Sequence, residues 1–202
     1  MTIYVESNFV LELALGQEQA DAAEDIVRRA ERGEIELAFP AFSLSEPFAT
    51  VAQRAKARSG VAKSLDEHRR ELARSSPHRG DLGPLEAVPA VLAEIGRREL
   101  SMLAATMGRM LEAGTPLQLD RAVFQEAIRV QDRHGFTVQD GIVYASILAH
   151  LSSNTASTRH YFANKNWKDF RTPSILAELN ALGCEYLSSF DEAALLLAQS
   201  PP

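Results

Sequence analysis

Short, apolar, β-rich runs recur along this chain, and helix-length amphipathic stretches separate them. The runs are Ile3-Tyr4-Val5, residues 35–39, a weaker one at 117–119, Tyr161-Phe162-Ala163 and residues 185–187. Strands separated by helices cannot pair as tight hairpins. They need crossovers, which set them parallel in a sheet whose two faces are both covered. The expected fold is α/β: a three-layer sandwich with a central, mostly parallel five-stranded sheet flanked by helices. A chain of 202 residues, 46% hydrophobic, fits one domain with a sizeable core.

Between the runs, periodicity predicts helices from residue 9, with Asn8 as cap, and over 17–32. Further helices are expected from 43 or 45 to 59, over 61–74 and over 88–113. Asp120 caps one to 133, and Thr137 caps the next. The last two span 172–183 and 191–199. The body 142–149 is apolar nearly all round, which predicts a central, buried helix. Residues 75–84 read as a loop. Residues 61–115 interrupt the alternation and read as a helical insertion within a single domain, 1–202.

The net charge of −6 argues against a protein that coats nucleic acid nonspecifically. The one cysteine, Cys184, permits no intramolecular disulfide and points to a reducing compartment. No leader-like segment precedes Ile3, and no apolar run approaches the ~20 residues of a membrane span. A soluble, cytoplasmic protein with no membrane partner is expected.

Acids stand where helices begin: Glu6 after the first run, Glu46 after the second, and Asp140 ahead of the apolar helix. The carboxyl ends of parallel strands border one crevice. Carboxylates gathered there repel one another unless a cation sits between them. Hard divalent ions take oxygen ligands and assist phosphodiester cleavage. Each acid also has a structural explanation. Ser43-x-x-Glu46 and Thr137-x-x-Asp140 are potential capping boxes, and Glu6 can be a surface residue at a strand end. Asn8 can cap the first helix or orient Glu6. After the fourth run, Asn164, Asn166 and Asp169 all compete for a fourth corner of the site.

Four segments carry a resemblance to the PIN-domain family of metal-dependent nucleases. They are Ile3-Tyr4-Val5-Glu6-Ser7-Asn8, then Ser45-Glu46, then Phe136-Thr137-Val138-Gln139-Asp140-Gly141-Ile142-Val143-Tyr144-Ala145-Ser146, and last Tyr161-Phe162-Ala163-Asn164 through Lys168-Asp169-Phe170. The resemblance implies Mg²⁺ or Mn²⁺ held by Glu6, Glu46 and Asp140, with Asp169 or a nearby Asn assisting. It implies a metal-dependent endoribonuclease, toxin-like in some members and paired with an antitoxin-like protein. Glu6 stands where the family usually has the shorter Asp. Asn164 or Asn166 stands where a fourth acid is usual. Both departures leave open a noncatalytic module that binds RNA or protein.

Between residues 53 and 80, eight Lys or Arg face three acids. Arg54 and Arg58 there, with Lys165 and Lys168 beside the fourth segment, are candidate RNA contacts; the alternative is an exposed helix laced with ion pairs. The helix over 88–113 is a candidate dimer contact. No phosphate-cradling glycine loop, paired zinc spacing or His-centred triad is visible.

Overall fold

A computed structural model describes residues 1–77, 82–154 and 159–199. Five strands, β1 (Thr2–Tyr4), β2 (Glu36–Pro40), β3 (Gly114–Leu117), β4 (His160–Ala163) and β5 (Cys184–Leu187), form one sheet in the order β3-β2-β1-β4-β5. Every pairing is parallel, with Ile3 opposite both Leu37 and Tyr161.

Successive side chains of a strand point to opposite faces, and the sequence uses this alternation. Ile3, Val5, Leu37, Phe39, Tyr161, Ala163 and Leu187 enter one apolar cluster. Tyr4, Ala38, Phe162 and Cys184 enter the other. Helices α1 (Ser7–Leu15), α2 (Ala20–Glu31), α5 (Val88–Ala113) and α10 (Phe190–Gln199) cover the first face. Helices α6 (Arg121–His134), α7 (Val138–Ser153) and α9 (Pro173–Ala181) cover the second. The result is the three-layer α/β sandwich that the alternation predicts.

Helix α3 runs unbroken from Glu46 to Leu72, so the break expected near Gly60 does not occur. A mid-helix glycine costs only ~1 kcal/mol. The helix is also braced on α5: Arg58 donates from both terminal guanidinium nitrogens to Glu99, at 2.5 and 2.7 Å. Residues 61–72 continue this helix without a break. The helical insertion grows directly out of the helix that Glu46 begins. Short α4 (Gly83–Glu86) precedes α5 and begins inside the last two residues of the expected loop; Arg79 and its neighbours 78–81 lie outside the described residues.

Strand β3 starts at Gly114, earlier than the 117–119 expected. A Cβ at Gly114 would lie 2.6 Å from the Leu37 carbonyl oxygen and 2.8 Å from the Phe39 ring, so only glycine lets this edge strand approach β2. Cys184 is buried, and burial pushes its thiol up to about 12, which leaves it inert at neutral pH. No helix among the described residues is long and apolar enough to cross a membrane.

Candidate functional site

The strand order reverses at β1. The chain builds outward through β2 and β3, then returns to place β4 on the other side of β1. In open parallel sheets, the crevice beyond the carboxyl ends of two such strands is where ligands bind. Here those ends deliver Glu6, two residues past β1, and Asn164, directly after β4.

Glu6, not Asn8, occupies the N-cap position of α1. Its backbone is extended (φ −135°, ψ −166°), and Asn8 already lies within the helix. Glu6 is only 8% exposed. Burial pushes its carboxyl up to about 7, the Ser7 hydroxyl opposes the rise by donating to Oε2 at 2.5 Å, and the negative charge of Glu46 adds to it. Two carboxylates from distant parts of the chain therefore share one electrostatic environment at the switch point.

Glu46 opens α3 and is partly buried. The capping box expected from Ser43 does not form. The N-cap of α3 is Ser45, whose hydroxyl donates instead to the Phe42 carbonyl, while the fully buried Ser43 hydroxyl has no protein partner. At the other, Thr137 caps the helix, and Asp140 bonds its hydroxyl in place of its backbone N–H. The Thr137 hydroxyl donates to Asp140 Oδ2 at 2.6 Å, and the Asp140 N–H donates to Thr137 Oγ1 at 3.1 Å. Asp140 thus anchors the start of α7. Gly141 beside it allows α7 to press on α6, since a Cβ there would lie 2.9 Å from Gln131 Cγ and 3.1 Å from the Ala127 carbonyl oxygen.

Among the described residues, no three His, Cys, Asp or Glu side chains gather closely enough to hold one metal ion. The charge of Glu46 acts on Glu6, and Asp140 accepts one hydrogen bond, at Oδ2, from Thr137. Asp169 lies exposed on α8 (Trp167–Phe170), a one-turn helix the sequence does not announce.

The amides at the crevice form a network. Asn8 Nδ2 donates to Asn164 Oδ1 at 2.6 Å, and the Asn166 backbone N–H donates to the same oxygen at 2.7 Å. Tyr186 donates its hydroxyl to the Asn164 carbonyl oxygen at 2.9 Å, and the Asn164 N–H donates to Leu187. Asn164 is fully buried. With both lone-pair directions of Oδ1 used, its side chain has no oxygen left for a cation. Asn8 Oδ1, by contrast, is a buried oxygen with no partner.

Two of the four expected RNA-contacting cations are committed elsewhere. Arg58 ties α3 to α5 through Glu99. Lys165 donates to Glu12 at 2.6 Å, neutralising a carboxylate that is only 2% exposed. Arg54 and Lys168 are exposed and have no ion-pair partner among the described residues. The sequence signal for Glu12 is a lone charge within the apolar run 9–15 of helix Ser7–Leu15.

The fold also assembles a His-centred group that spacing alone conceals. Glu178 Oε2 lies 3.0 Å from His134 Nε2 and accepts from the Tyr144 hydroxyl, while Oε1 accepts from Arg133. Ser174 Oγ lies 3.3 Å from His134 Nδ1. With both carboxylate oxygens engaged, this network fastens α9 to α6 and α7.

Oxygen donors suit Mg²⁺ and Mn²⁺. Glu6 and Glu46 are carboxylates of that chemistry, and a cation beside them would offset the repulsion that Glu46 adds to the raised Glu6 pKa. No protein-family model, curated protein or solved structure matches this chain.

Proposed function

We propose that this chain is a PIN-like, metal-dependent endoribonuclease, with Glu6 and Glu46 holding Mg²⁺ or Mn²⁺ and Asn8 supplying a neutral oxygen. The observation that carries the reading is a buried carboxyl at the sheet's switch point, raised further by a second carboxylate. Such a pair is costly to keep charged without a counter-ion.

When bound, the ion would supply Lewis acidity, lowering the pKa of water and neutralising charge on phosphoryl oxygens. The protein's own contribution is orientation. Ser7 fixes one oxygen of Glu6, and the Asn8–Asn164 bond fixes the amide beside it. Exposed Arg54 and Lys168 offer phosphate contacts. A toxin-like role with an antitoxin-like partner belongs to the same proposal and rests on the PIN resemblance.

The second reading is a noncatalytic module that binds RNA or protein. The absence of a group of three acids close enough for one metal ion among the described residues favours it. Single-stranded RNA, incubated with Mn²⁺ or Mg²⁺, separates the two. The nuclease reading expects cleavage that EDTA abolishes and that Glu6→Gln and Glu46→Gln each reduce at least ~100-fold, with Asp140→Asn affected less. RNA retained equally by all proteins and cut by none supports the module.

A further inference from the structure

We propose that Ser174, His134 and Glu178 form a separate reactive site, in which the Ser174 hydroxyl is a nucleophile toward carboxylic esters. This site uses none of the residues of the ribonuclease reading. The direction of each hydrogen bond follows from what its partners can do. The Glu178 carboxylate accepts from Arg133 at Oε1 and from the Tyr144 hydroxyl at Oε2, and an ionised carboxylate can only accept. His134 Nε2, 3.0 Å from Oε2, therefore carries the ring hydrogen. In the neutral imidazole Nδ1 is then an acceptor, and the Ser174 hydroxyl at 3.3 Å donates to it. Ser174 has one hydroxyl hydrogen, so the Thr172 hydroxyl at 3.2 Å donates to Ser174 Oγ. The outcome is one directed chain, from Thr172 through Ser174 and His134 to Glu178.

A hydroxyl that donates to a base, with the base oriented by a third group, is the arrangement that activates a serine. It exceeds what a helix start needs. The cap of α9 is Thr172, whose hydroxyl accepts from the Ile175 N–H, so the contact of Ser174 with His134 caps nothing. The His134 side chain is buried, with the Phe136 and Tyr144 rings 5.5 and 5.7 Å away, which holds the imidazole in place. Ser174, at the outer end of the hydrogen-bond chain, is exposed, so a reagent can reach it. The Ile175 and Leu176 N–H groups go to Thr172. The Ser174 N–H has no carbonyl partner within the helix and is the first-turn donor left for a developing oxyanion. In the reaction, Ser174 Oγ bonds to the acyl carbon and its proton passes to His134 Nδ1. The ester C–O bond breaks, and the leaving alcohol departs with the bonding pair and takes that proton. Water then attacks the acyl carbon, gives a proton to the same nitrogen, and releases the carboxylic acid; the proton returns to Ser174. Glu178 stays ionised throughout and steadies the imidazolium.

The test uses a fluorophosphonate probe, whose phosphorus bonds to a reactive serine oxygen as fluoride leaves with its bonding pair. Mass spectrometry locates the adduct. Hydrolysis of p-nitrophenyl acetate is followed on the same proteins: wild type, Ser174→Ala, His134→Gln and Glu178→Gln. Circular dichroism establishes that each is folded. The expected adduct is on Ser174 in the wild type and absent from Ser174→Ala, which also loses ester hydrolysis. His134→Gln should label about 100-fold more slowly or worse, since it removes the base, and Glu178→Gln about 10-fold more slowly or worse. Labelling of the wild type should fall in acid, where the imidazole takes up a proton. Should His134→Gln prevent folding, that acid loss of Ser174 labelling, followed where the wild type is folded, carries the test.

No adduct, or an adduct only on other residues, overturns the proposal. So does Ser174 labelling that is as fast in folded His134→Gln as in the wild type, or as fast near pH 5 as near pH 8. Labelling of Ser174 without Ser174-dependent hydrolysis of p-nitrophenyl acetate overturns the assignment to esters.

Discussion

Replacing Glu6 by Gln tests the electrostatics of the switch point without changing its shape. Gln keeps the side-chain length and an oxygen for the Ser7 hydroxyl, but it cannot ionise. In the wild type, burial and Glu46 raise the Glu6 carboxyl from 4.5 to about 7. Below pH 4.5 the folded and unfolded chains both hold the proton, and the full benefit of a neutral Glu6 is present. Between pH 4.5 and 7 the unfolded chain releases its proton while the folded chain retains it, so stability falls as pH rises. At about 1.4 kcal/mol per pH unit, the loss is complete above pH 7 and amounts to roughly 3 kcal/mol. For a domain of this length, that corresponds to a difference of about 6 to 12 °C in melting temperature. The assay is urea denaturation followed by circular dichroism between pH 4 and 8 in EDTA. Glu6→Gln is expected to match the wild type near pH 4 and to exceed it by about 3 kcal/mol at pH 8. Saturating Mn²⁺ should then restore the wild type alone, by about 2.7 kcal/mol at one hundred times the dissociation constant. Parallel stability curves for the two proteins across this range would refute the reasoning.

Lys165→Met strands the buried Glu12 carboxylate and should destabilise the fold by about 3–5 kcal/mol; adding Glu12→Leu should recover most of the loss, as a double-mutant denaturation cycle would read. Thr137→Ala removes both hydrogen bonds of the Thr137 hydroxyl and should cost about 1 kcal/mol in chemical denaturation. Gly141→Ala forces α7 off α6 and should cost about 1–3 kcal/mol, measured as a lowered melting temperature.

The layered fold is legible in the sequence because its signals are local. Asp120 stands before α6 and accepts from the Val123 N–H at 2.9 Å; Thr137 does the equivalent for α7. The predicted helix over 88–113 matches α5 end to end. What is not legible depends on distant partners. Nothing near Gly60 says that Glu99 will brace α3, and nothing near Lys165 says that Glu12 will claim its charge. Glu6 and Glu46 are recognisable as candidates by position alone. The orientation of the Asn164 amide is not, because Asn8, 156 positions away, helps to set it. Asp140 shows how one pattern serves two readings: the spacing that suggests a ligand is also the spacing of a cap, and the structure makes the cap.

The most direct test of the central claim is a Mn²⁺ titration of the folded protein, followed by electron paramagnetic resonance, beside Glu6→Gln and Glu46→Gln. The account predicts saturable binding in the wild type that falls at least ~10-fold when either carboxylate is neutralised. Mn²⁺ binding that is absent from the wild type, or equal in all three proteins, would contradict it.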